Sequence, residues 1–143
     1  MESKKRWTIF LISFAFVIFG ALSCATVGKR TVPLMATKMH PGARGTATIS
    51  DSTISLQANG LKPNSVYTAW FVNMKPAEQK AGAGNPPYMF RTDSSGAGAY
   101  KAPLKSAPFG KWQMLMIVLH PSGNPTVMSG MVPALSAKIP KTR

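Results

Sequence analysis

The chain has 143 residues, with 17 Lys plus Arg against 4 Asp plus Glu, a formal net charge of +13, and 45% apolar residues. That length suits one domain, and so large an apolar share argues against a disordered basic tail, so a packed domain with a basic surface is expected. A single cysteine excludes an intrachain disulfide framework and any Cys-rich zinc site.

Lys4, Lys5 and Arg6 precede residues 7–22 (WTIFLISFAFVIFGAL), which carry no charge. The cations stay on the cytoplasmic side while the apolar run enters the membrane. Those 16 residues would make a helix of roughly 24 Å, short of the roughly 30 Å hydrocarbon core, which suits a signal peptide better than a permanent span. Gly20, Ala21, Leu22, Ser23 and Cys24 resemble the lipobox of bacterial lipoproteins, with the leucine one place nearer the cysteine than in the commonest pattern. The resemblance implies cleavage after Ser23 and lipid on Cys24. Several acyl chains, at about 0.8 kcal/mol per buried CH₂, make a firm tether to the membrane. Ala25 stands where an Asp commonly retains such proteins in the inner membrane, which implies the outer membrane, facing the periplasm, in a Gram-negative cell. Ordinary secretory cleavage after Ala25, or an uncleaved anchor, are the competing readings.

The expected division is a signal peptide at 1–23, a tether at 24–45, a β-domain at 46–137 and a basic tail at 138–143. Residues 25–45 contain Gly28, Pro33, Pro41, Gly42 and Gly45 with no sustained period, hence the tether. Ala47 and Ile49, then Ile54, Leu56 and Ala58, alternate with polar residues across Asp51, Ser52 and Thr53, which predicts a hairpin. Residues 60–64 (GLKPN) predict a turn, and residues 66–72 (VYTAWFV) a strand. Five Pro and Gly in residues 75–87 predict a long irregular loop, followed by an extended segment at 88–91 and a hairpin turn at 93–98 (DSSGAG) leading to Tyr100. Residues 112–119 (WQMLMIVL) are apolar on both faces apart from Gln113, as in a central strand, and residues 120–125 (HPSGNP) close it with a turn.

Several short strands with turn signals and no helix after the signal segment predict an all-β fold, a small antiparallel β-sandwich or barrel, with the sandwich preferred. Leu61, Pro63 and Tyr67 resemble the tyrosine corner of immunoglobulin-like and fibronectin type III sandwiches, where the phenol hydroxyl bonds to nearby backbone. The stretches GLKPNSVYTAW, FRTDSSGAG and LHPSGNP are also similar to small exported bacterial domains of unassigned activity, which bears on fold rather than function.

Chemistry-bearing residues are sparse. The domain offers only His40, His120, Asp51, Glu78 and Asp93 for a hydrolytic triad, and no paired carboxylates or phosphate-binding glycine loop, so no catalytic residue is assigned and no enzyme is expected. No cofactor is expected, with copper as the alternative: thioethers select Cu(I), and His120 with Met114 or Met116, or Met39 with His40, could supply ligands. The bland reading makes Met114 and Met116 core filler. After Ser23 there remain 14 basic and 3 acidic residues. Lys29, Arg30, Lys38 and Arg44 before the domain, and Lys138, Lys141 and Arg143 after it, suit an anionic lipid surface or an envelope polyanion, at about 1 kcal/mol per cation near a charged surface. Nucleic acid is not expected, since no recognition motif is present. The function these features predict is a non-catalytic cell-envelope lipoprotein with a structural or binding role; a Met/His copper-binding module is the alternative.

Overall fold

The structure, a computed structural model, describes residues 28–142. The expected signal peptide and its helix, Cys24 and Arg143 lie outside the described residues. Nine strands follow in order: β1 Arg30–Ala36, β2 Arg44–Ile49, β3 Thr53–Asn59, β4 Val66–Asn73, β5 Gln79–Gly82, β6 Met89–Arg91, β7 Gly98–Pro103, β8 Met114–His120 and β9 Val132–Lys138. They form one antiparallel sheet in the order β5-β4-β8-β9-β1-β2-β3-β7, with β6 beside β5 on the same edge of β4. No helix occurs among the described residues.

The sheet curls into a half-barrel, and β1 is its corner. Residues 30–34 pair with β2, whereas Met35 and Ala36 pair with β9. On the concave side the period-two residues Tyr67, Ala69 and Phe71 of β4, Leu115, Ile117 and Leu119 of β8, and Ala47, Ile49, Ile54, Leu56 and Ala58 of the β2–β3 hairpin join one buried core. Each fully buried Leu, Ile or Phe there contributes about 1.5–3 kcal/mol. Strands and core together run from β1 to Ile139, so a chain beginning at Ala25 retains the whole described fold.

The expected tether is corrected: residues 30–36 form β1, with Val32 and Leu34 in the core. Pro33 misleads there because proline interrupts most ladders, but along residues 30–34 β1 pairs only with β2, leaving the edge where a proline is tolerated. The expected loop at 75–87 contains β5, and the basic tail begins inside β9, with Ile139 buried after it. The turn at 93–98 joins β6 to β7, which pair with β4 and β3 respectively, so it crosses between flanks of the sheet. The Asp93 carboxylate holds it by accepting from the backbone N–H groups of Ser95 and Ala97, at 2.8 and 3.0 Å.

Of the residues in the tyrosine-corner resemblance, Tyr67 makes a bond to nearby backbone. Tyr67 is buried and its hydroxyl accepts from the Lys62 backbone N–H at 2.9 Å. Burial holds the phenol pKa above its ordinary value of 10.0, against the smaller opposing effect of the Lys62 bond.

Candidate functional site

Antiparallel register assigns each loop to one end of the half-barrel. Arg30 of β1, Lys138 of β9, Met114 of β8 and Asn73 of β4 stand together at what is termed the near end. The far end carries Ala36, Arg44, Val66 and His120.

At the near end lies an open cleft of about 770 Å³, lined by Lys75, Lys111, Lys138 and Lys141 together with Asn73, Met74, Gly110, Trp112, Gln113, Met114 and Ile139. Among the described residues no carboxylate lines it. All four lysines are exposed, so each retains its hydration and acts through field rather than fixed contact. Trp112 forms the wall, its ring stacked on Phe71 at 6.2 Å between centroids, with the Lys111 ammonium 6.0 Å from its ring. A second open space of about 420 Å³ adjoins it through Lys111 and Trp112, and adds Lys80, Lys105, Trp70 and Tyr88.

Two amides hold this cleft in shape. Gln113 Oε1 accepts from the backbone N–H of Met74 at 2.8 Å, and Gln113 Nε2 donates to the Lys75 carbonyl at 2.9 Å. Asn73 Oδ1 accepts from the Gln113 N–H at 2.9 Å while its Nδ2 donates to the Lys111 carbonyl at 3.0 Å. The segment carrying Lys75 is thereby clamped to the segment carrying Lys111. The Gln113 carbonyl accepts from the N–H of Ile139, which brings in the strand end bearing Lys138.

Of the cations singled out in the sequence, Lys29 and Arg30 lie at the near end with Lys138 and Lys141, whereas Lys38 and Arg44 lie at the far end. Lys75 and Lys111 were not anticipated. The one sign of the clamp in the sequence is Gln113, the lone polar residue of WQMLMIVL.

The expected metal ligands do not converge. His120 Nε2 lies 2.8 Å from Thr68 Oγ1, and Nδ1 lies 3.1 Å from the Val127 carbonyl. Since a carbonyl only accepts, Nδ1 carries the proton and Nε2 accepts from the Thr68 hydroxyl, which itself accepts from Trp70 Nε1 at 2.7 Å. Both ring nitrogens are therefore occupied. Met114 and His120 stand at opposite ends of β8, roughly 20 Å apart along an extended strand, too far to share an ion. His40 is no free linker residue: its Nε2 lies 3.4 Å from the Tyr67 hydroxyl, while the neighbouring Met39 is exposed. Among the described residues no three His, Cys, Asp or Glu side chains gather as a metal cluster.

Compared with known proteins, the chain matches no family model, no curated protein and no solved structure.

Proposed function

We propose that this is a non-catalytic cell-envelope lipoprotein, anchored through lipid on Cys24, whose β-domain binds an anionic surface with its near end. The observation that carries the reading is the cleft lined by Lys75, Lys111, Lys138 and Lys141, with no carboxylate among the described residues, on the same end as Arg30, the start of β1. Six residue steps separate Cys24 from Arg30, a reach of at most about 20 Å. A lipid on Cys24 would hold the near end, not the far end, within range of the headgroups. Lysines that come within a Debye length of the headgroups, about 10 Å, add about 1 kcal/mol each toward anionic lipid. Trp112 suits an apolar and aqueous boundary, since its ring is apolar and its N–H polar. The outer membrane of a Gram-negative cell, facing the periplasm, is the proposed address.

The proposed fold within this reading is a sandwich of the immunoglobulin or fibronectin kind, its leaves meeting where β1 changes partner; the Tyr67 to Lys62 bond supports it. Two measurements test the function. Mass spectrometry of the mature N-terminus is expected to find an acylated Cys24, and an unmodified peptide starting elsewhere would overturn the anchor. Sedimentation of a chain starting at Ala25 with vesicles is expected to show binding that grows with anionic lipid and falls with salt. Binding indifferent to both would overturn the surface reading.

A further inference from the structure

The outer face of β4 and β8 differs from the rest of the surface. On the opposite flank, register aligns Thr31, Thr48, Ser55 and Lys101 in a polar row. On β4 and β8 the corresponding outward residues are Thr68, Trp70 and Val72, opposite Met114, Met116 and Val118. A groove of about 260 Å³ lies on this face. Three of its lining residues are methionines from separate elements: Met74 just after β4, Met116 within β8, and Met131 just before β9. Trp70, Val72, Val118 and Pro133 supply apolar wall, and Glu78 and Lys80 complete the lining, joined by a 2.9 Å ion pair.

We propose that Met74, Met116 and Met131 form a binding site for a soft monovalent cation, Cu(I) or its analogue Ag(I). Thioether sulfur is a neutral, polarisable donor that favours Cu(I) and is a poor ligand for hard dications. Among the described residues the groove offers three of them and no imidazole or thiolate. Its one carboxylate, Glu78, is exposed and shared with Lys80, so a divalent ion would find a single, partly neutralised anionic ligand to offset its desolvation. A single positive charge shared among three sulfurs asks less of an apolar wall. The site shares Met74 with the lysine cleft but uses its thioether rather than the charge of that cleft, and it replaces the pairing of His120 with Met114, which stand at opposite ends of β8 with both His120 ring nitrogens engaged.

The frame is already in place. Met116 sits in a strand paired on both sides, opposite Trp70 and Ser136. The Met74 backbone is held by Gln113, and the loop leading to Met131 is pinned where the Val127 carbonyl meets His120. Trp70 is fixed by its N–H to Thr68 and by an edge contact with Tyr88 at 5.3 Å, so its ring is a rigid wall beside the bound ion. Met74 is 56% exposed, which is unlike core filler, and its flexible side chain can turn inward to complete the coordination.

The test uses the chain beginning at Ala25 with its methionine methyl groups labelled with carbon-13 and titrated with Ag(I), then with Cu(I) under anaerobic reducing conditions. One equivalent is expected to shift the methyl signals of Met74, Met116 and Met131 and to leave those of Met35, Met39 and Met128 in place. Met74→Leu, Met116→Leu and Met131→Leu should each weaken binding at least tenfold, whereas Met35→Leu should not change it. Saturation without shifts at the three named methyls, or shifts spread equally over the exposed methionines, overturns the site. The unsubstituted chain supplies that answer even if a leucine variant folds poorly.

Discussion

Replacing Thr68 with Val keeps the shape of a fully buried side chain and removes one hydroxyl that does two jobs. That hydroxyl accepts from Trp70 Nε1 at 2.7 Å and donates to His120 Nε2 at 2.8 Å. His120 is 2% exposed, so its Nε2 loses its partner with no water to take over, at about 1–3 kcal/mol. Trp70 is only half-buried, so its N–H recovers part of the loss from solvent and adds about 0.5–1 kcal/mol. The sum is about 1.5–4 kcal/mol, and with a urea slope of about 1–2 kcal/mol per molar it lowers the midpoint by about 0.8–4 M. Equilibrium urea unfolding of the two chains measures this, and nitrogen-15 shifts of the unsubstituted chain should show His120 protonated on Nδ1. A midpoint within 0.3 M of the original, or a proton on Nε2, would refute the hydrogen-bond assignment.

Other substitutions probe the scaffold. Tyr67→Phe removes the acceptor of the Lys62 N–H, which solvent reaches in part, and should cost about 0.5–1.5 kcal/mol in thermal unfolding. Because the folded Tyr67 pKa lies above its ordinary 10.0, its contribution is complete below that value and lost as pH rises through the folded one; the Phe variant should show a shallower alkaline loss. Asp93 has the opposite sign: its bonds, first from the Ser95 side chain and then from the backbone of Ala97 and Ser95, hold its carboxyl below the ordinary 3.8. That stability is present above 3.8 and lost as pH falls through the lower folded value, so Asp93→Asn should flatten the acid limb of a stability profile. A side chain at Gly82 would collide with the Tyr88 ring at 2.2 Å, so Gly82→Val should expel that ring from Trp70 and change the near-ultraviolet circular dichroism.

What was legible in the sequence was local. The period-two residues of the β2–β3 hairpin and the uninterrupted runs of β4 and β8 declare themselves, because burial on one or both faces dictates their composition. The Tyr67 corner spans five residues to Lys62 and could be read for the same reason. Strand β9 is concealed by Pro133, which sits at the irregularity where Ile117 pairs with Leu135 but Val118 pairs with Pro133. Strand β5, with the sequence QKAG, has no strand composition of its own and depends on its ladder with residues 70–73 of β4. The basic character of Lys138 and Lys141 was visible as charge. Their meeting with Lys75 and Lys111 was not, because it depends on Asn73 bonding Gln113 across 40 residues.

The central claim is that position, not net charge, directs the domain to an anionic surface, and a charge-matched pair of variants tests it most directly. One replaces Lys75, Lys111, Lys138 and Lys141 with Gln, and the other replaces Lys38, Arg44, Lys62 and Arg91 with Gln, each in a chain beginning at Ala25. Both lose the same charge from exposed positions, but only the first empties the near-end cleft. At about 1 kcal/mol per cation close to the surface, the first should weaken binding to anionic vesicles by about a hundredfold to a thousandfold. The second should weaken it by less than about tenfold, since its charges stand farther from the surface than a Debye length of about 10 Å. Equal losses in the two variants, or a larger loss in the second, would contradict the account.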